Sequence, residues 1–119
     1  MKSIQIDEAG LALWIMDRKA HVWGCEQDEE SLLAEVDHLP LLIAFLDRDD
    51  GLLAKRQTLV HALVLMLSCH HDGEEGEGLS AEQVQRIEAA LVRHRDVALS
   101  ACGELGPDEE ALLRRVLGA

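Results

Sequence analysis

The densest set of chemistry-bearing side chains is Cys69-His70-His71-Asp72, followed at once by Glu74, Glu75 and Glu77. Thiolate, imidazole and carboxylate groups are the ligands that divalent metals take, so a metal centre is the chemistry this stretch would do. The spacing speaks against it. Adjacent residues on a helix point about 100° apart, so His70 and His71 share an ion only where the helix has already ended. His94 would have to complete the set, because His61 lies about two and a half turns upstream of His70, which is far for one ion. The acidic run lacks the alternating ligands of a calcium-binding helix–loop–helix. Asp47-Arg48-Asp49-Asp50-Gly51 lacks the glutamate that closes such a loop. His70, His71, Asp72 and His94 are therefore weak metal candidates. The plainer reading, histidines at the negative end of a helix dipole beside a solvated loop, outweighs the metal. No cofactor is expected.

Nucleophilic chemistry has less support. Cys25, Cys69 and Cys102 carry no catalytic signature around them, and Cys69 and Cys102 fall on apolar stretches where a thiol is simply a core residue. Ser31, Ser68, Ser80 and Ser100 sit in no Gly-x-Ser-x-Gly elbow. Gly73, Gly76 and Gly78 alternate with carboxylates, which would repel a phosphate rather than cradle one. Carboxylate pairs occur throughout, so no single pair points to acid–base catalysis. The expectation is a protein that is not an enzyme and has no catalytic residues.

Charge is the broadest signal. The chain of 119 residues carries a formal net charge of -12. Such a surface repels nucleic-acid phosphates and anionic lipid headgroups and suits a protein partner with a basic face. Asp28, Glu29, Glu30, Glu35 and Asp37 concentrate acids on one helical stretch, and Glu74, Glu75 and Glu77 do so in the glycine-rich loop. A run of charge is most often a solvated face. Used functionally, it steers and orients a basic partner. Trp14 and Trp23 stand out in a chain that is 3% aromatic. Trp14 falls at helical spacing and suits the core, whereas Trp23, beside His21 and Cys25 in a loop, suits an interface. The interaction candidates are therefore Trp23, Asp28, Glu29, Glu30, Glu35, Asp37, Glu74, Glu75 and Glu77.

These groups must be positioned by helices. Leu59-Val60-His61-Ala62-Leu63-Val64-Leu65-Met66-Leu67 contains no charge, and a helix that is apolar all round has to be covered on most sides. Asp50 is a candidate cap for this helix, and Lys55, Arg56 and Gln57 form the polar face of its first half. Asp7 caps an earlier helix containing Leu11, Trp14 and Ile15, although Leu11–Cys25 also reads as a hairpin turning at Asp17-Arg18-Lys19. Asp28 caps a further helix through Leu32, Leu33 and Val36. Pro40 suits the first turn of the next one, whose inward face is Leu41, Leu42, Phe45 and Leu46. Ser80-Ala81-Glu82-Gln83 is a capping box that opens a long helix through Val84, Ile87, Leu91 and Val97 to about Cys102. Pro107 opens the last helix, with Asp108, Glu109 and Glu110 at its start and Arg114 and Arg115 near its end.

The expected architecture is all-α: a single domain over residues 1–119, a bundle of four to six helices around a central apolar one, with a short N-terminal strand or hairpin as its one β element. Met1–Glu8 lacks the basic and apolar regions of a secretory signal, no apolar run is long enough to span a bilayer, and the cysteines form no CxxC pair. Those features together suggest a cytoplasmic protein without membrane attachment. The function expected is an acidic protein-binding module, an immunity or antitoxin-like inhibitor or a chaperone of a basic partner. A self-associating helical bundle, as a homodimer, is the alternative, because the central helix has more apolar faces than so short a chain comfortably covers. A His/Asp metal-binding bundle ranks third.

Overall fold

The structure, a computed structural model, describes residues 2–4, 6–22, 33–34, 36–48, 50–71 and 79–118. Its fold is all-α. Six helices are present among the described residues: α1 (Glu8–Trp14), α2 (Leu39–Asp47), α3 (Leu53–His71), α4 (Ala81–Arg93), α5 (Arg95–Ala101) and α6 (Pro107–Leu117). Two three-residue strands, β1 (Lys2–Ile4) and β2 (Ala20–Val22), lie beside them.

Leu11–Cys25 is readable from the sequence as helix or as hairpin; over residues 11–22, the part that is described, it is neither alone. Asp7 accepts a 2.7 Å hydrogen bond from the Gly10 amide and starts α1, as its position before Glu8 leads one to expect. The helix ends at Ile15, and Asp17 accepts from the Lys19 amide at 2.9 Å to shape the exit turn. The chain then returns as β2, which pairs with β1 in parallel, Lys2 opposite Ala20 and Ile4 opposite Val22. A tight hairpin joins antiparallel strands, so parallel pairing requires the crossover that α1 supplies.

The core forms around α3, which packs against α2, α4, α5 and α6. Leu59, Val60, Ala62, Leu63, Val64, Met66 and Leu67 are all buried, so the uncharged run is the covered rod that its composition implies. Trp14, Leu11 and Ile15 from α1, Leu42 and Leu46 from α2, Leu91 from α4 and Leu113 from α6 complete one continuous core. Burying one such leucine is worth roughly 1.5–3 kcal/mol, and that term drives the collapse. Gly51 fits the last approach into α3: a Cβ there would lie 2.3 Å from Ile15 Cγ1, and the Leu52 amide donates to the Ile15 carbonyl at 2.9 Å. The end of α1 and the start of α3 are thereby joined backbone to backbone.

Helix ends follow local chemistry. Ser80 and Gln83 form the reciprocal capping box, with bonds of 3.1 and 2.8 Å. Pro40 and Pro107 sit in first turns. Glu109 accepts from the Gly106 amide at 3.0 Å, and Gly118 closes α6 in the left-handed region at φ 71°.

Three expectations need correction. Asp50 does not cap α3, because the helix begins at Leu53 and the Asp50 carboxylate lies 3.3 Å from Arg48. The long helix from Ser80 to Cys102 is interrupted at His94, whose φ of -109° and ψ of 43° divide α4 from α5. Lys55 and Arg56, expected on a solvated face, are each only 7% exposed. The His94 break and the burial of Arg56 have one cause, described next.

Candidate functional site

Most of the residues singled out in the sequence lie outside the described part of the structure. Trp23, Asp28, Glu29, Glu30, Glu35, Asp72, Glu74, Glu75 and Glu77 are among these, and for His70 and His71 the structure describes the helical backbone alone. Asp37 and His94 can be placed. Asp37 is exposed in a 3-10 turn, Val36–His38, directly before α2. His94 sits at the α4–α5 break, and around it the structure gathers three residues that the sequence reading did not connect with it.

Arg56 reaches out of the first half of α3. Its Nη2 donates to the Leu46 carbonyl at 2.8 Å and lies 3.3 Å from His94 Nδ1. A guanidinium only donates, so Nδ1 accepts and the ring hydrogen is on Nε2. Nε2 then donates to Asp47 Oδ1 at 2.6 Å. Arg93 approaches the same carboxylate from the neighbouring position, with Nη2 at 2.9 and 3.0 Å from its two oxygens. Burial works against the Asp47 charge, but the hydrogen bonds from His94 and Arg93 and the positive charge of Arg93 outweigh it. The Asp47 pKa therefore lies below the usual carboxylate value.

This chain of contacts explains two of the corrections. Arg56 can be buried because it has acceptors at the end of α2, and the His94 turn brings both ring nitrogens within reach of α2 and α3 at once. Chemically the cluster has the Asp–His pairing that activates a nucleophile in hydrolases, yet the remaining nitrogen faces an arginine. Its evident work is mechanical: it ties the end of α2, the start of α3 and the α4–α5 junction together. Among the described residues, no three His, Cys, Asp or Glu side chains are grouped so as to hold a metal ion. Cys102, the one thiol whose side chain is described, is buried in the core.

A second polar contact lies on the far side of α3. His61 Nε2 is 3.5 Å from Glu109 Oε1, the oxygen that also caps α6. Together with Ala54, Gln57, Thr58 and Glu104, His61 lines a cleft of about 290 Å³. Another cleft, of about 440 Å³, is lined by Arg18, Leu52, Leu53, Ala54, Lys55 and Thr58, with the Lys55 ammonium 4.7 Å over the Trp14 ring. A third, of about 410 Å³, lies between α1 and α2 and is lined by Glu8, Asp37, Pro40, Leu41, Ala44, Phe45 and Arg48. The floor of this last cleft is apolar, and Arg48 stacks over Phe45 at 5.0 Å.

None of these clefts is signalled by a motif. Leu41, Ala44 and Phe45 belong to a run readable only as a helical face, and Asp47 reads as part of a turn. No helix among the described residues is long and apolar enough to cross a membrane. Comparison with protein-family models, curated proteins and solved structures finds no match for the chain.

Proposed function

We propose that the protein is an acidic binding module for a protein with a basic surface, in its most concrete form an immunity or antitoxin-like inhibitor, or a chaperone, of a basic toxin or nuclease domain. The observation that carries this reading is how the charge is spent. Arginines are held by the chain's own groups: Arg48 by Asp50, Arg86 by Glu82, Arg93 by Asp47 and Arg114 by Glu110. Arg56 and Arg95 donate to the carbonyls of Leu46 and Leu117. Among the described residues, Glu8, Asp37, Asp96, Glu104 and Asp108 are exposed and make no ion pair. Most arginines among the described residues are thus matched by the chain's own groups, Arg18, Lys19 and Arg115 stay exposed beside these open carboxylates, and the net charge of -12 over the whole chain leaves the acids in excess. Such a surface attracts a basic protein at long range and loses much of that attraction in salt.

Affinity capture from extracts of the native host, washed at low and at high salt, tests the reading. The expected result is a basic protein retained in low salt and released in high salt. Recovery of the protein with itself alone under both conditions would overturn it.

Self-association is the second reading, and one observation favours it: Leu13, Met16 and Leu53 are 68%, 55% and 56% exposed. Light scattering over a dilution series should then show a dimer that dissociates. A monomer at every concentration removes this reading.

A further inference from the structure

We infer that the cleft between α1 and α2 is the docking groove of the acidic surface, and that its occupant is an amphipathic segment of the partner carrying a lysine or arginine beside an apolar side chain. The inference rests on the reading of the protein as an acidic binding module and names where that module makes contact. Two properties select this cleft from the three. The first is its floor. Phe45 is buried at 3% exposure, while Leu41 is half-buried and Ala44 exposed, so an incoming apolar side chain meets a continuous hydrocarbon surface. The second is its charge. Among the described residues, Glu8 and Asp37 are exposed and make no ion pair, whereas Arg48, the one base among the described lining residues, is matched by Asp50 at 3.3 Å. The groove thus presents an apolar base with two uncompensated carboxylates, which complements a basic and apolar segment and repels an acidic one. The larger cleft beside α3 differs, because its described lining holds two bases, Arg18 and Lys55, and no acid. The cleft beside His61 has a polar lining of Gln57, Thr58, His61 and Glu104, with Ala54 the one apolar residue among the described lining.

The test uses the full chain labelled with nitrogen-15 and two synthetic peptides, an amphipathic leucine–lysine peptide and its counterpart with glutamate in place of lysine. Titration at low salt should move the amide signals of Leu41, Ala44 and Phe45 with the lysine peptide and leave them still with the glutamate peptide. The double variant E8Q/D37N should bind about tenfold more weakly, the expected scale for two rim charges. Ala44→Arg, which projects a cation into the groove from an exposed position, should retain the parent spectrum and lose the shifts altogether.

Four outcomes would overturn the proposal. Glutamate peptide binding as tightly as lysine peptide removes the charge argument. The same amides moving as the protein alone is concentrated assigns the groove to a second copy. Lysine peptide that binds elsewhere, undisturbed by Ala44→Arg, sinks the groove and leaves the acidic-module reading standing. No binding of lysine peptide at low salt sinks both.

Discussion

From Leu59 onward in α3, Leu59, Val60, Leu63, Val64 and Leu67 are hidden from water; nearer its start, Lys55 and Arg56 are hidden almost as well, at 7% exposure each. The same helix buries hydrocarbon at one end and cations at the other. Burial of the leucines is favourable wherever they find cover, because the hydrophobic effect has no direction. Burial of the cations is favourable only where acceptors or a ring face stand at the right place, since desolvating a charge is costly. Arg56 has the Leu46 carbonyl and the His94 ring, and Lys55 has the Trp14 ring. One half of the helix is held by area, the other by addressed contacts.

Substitutions can break this contrast, and the largest effect is expected in the apolar half. Leu63→Ala should lower the unfolding free energy by about 2–5 kcal/mol through lost transfer energy and a residual cavity, read from urea denaturation. In the polar half, Arg56→Met should cost about 1–3 kcal/mol, because it leaves the Leu46 carbonyl and His94 Nδ1 without this donor. The partners should distinguish the two mechanisms. Arg56→Met combined with His94→Ala should be non-additive, since both remove one contact, whereas Arg56→Met combined with Leu63→Ala should add. Additivity in the first pair would mean that Arg56 is held by area after all.

The same contrast decides what the sequence made legible. The buried rod, the Asp7 and Ser80 caps, the proline starts and the inward faces of α2 and α6 all depend on neighbours within a turn or two, and each was readable from local pattern. Trp14 in the core and Cys102 as a buried thiol followed in the same way. The position of Arg56 was not readable, because its acceptors come from residues 10 and 38 positions away in sequence. The break at His94 carries no Gly or Pro, the usual mark of a helix stop, since it is maintained by tertiary contacts with Asp47 and Arg56. The parallel pairing of β1 with β2 was equally out of reach: the sequence suggested a short N-terminal strand or hairpin, but not a partner on the far side of a helix. Of the candidate cleft, the sequence singled out Asp37 as an interaction candidate, and Asp37 lines the cleft, but the apolar floor beside it was missed because Leu41 and Ala44 look like any other positions on a helix.

The Asp47 carboxylate gives a smaller effect with a pH signature. Its pKa is lowered in the folded state, so its contribution to stability is present above the ordinary carboxylate value and is lost as pH falls through the folded value. Asp47→Asn should cost about 1 kcal/mol or less near neutral pH, given that the side chain is 41% exposed. The difference between parent and variant should shrink towards zero as the medium is acidified below pH ~4. Denaturation curves across that range check it. A difference that stays constant with pH would show that the Asp47 charge contributes nothing and that shape alone matters at this junction.

Lys55 should show the smallest effect of the series. Lys55→Met keeps an unbranched stem in the same space and removes the charge over Trp14, so the loss includes the cation–π attraction and is offset by the relief of desolvating an ammonium. Those terms oppose each other, and the net change should stay under ~1 kcal/mol by thermal or urea denaturation. Arg56→Met relieves desolvation as well, but its removal also strands acceptors on two other elements. The ratio of the two effects therefore measures the contrast itself. If Lys55→Met proves as damaging as Arg56→Met, burial of positive charge is what the first half of α3 has in common, and the number of acceptors each cation satisfies is irrelevant. If it is near neutral, as expected, the address of the contact decides the energy, and the two basic residues are buried side by side for different reasons.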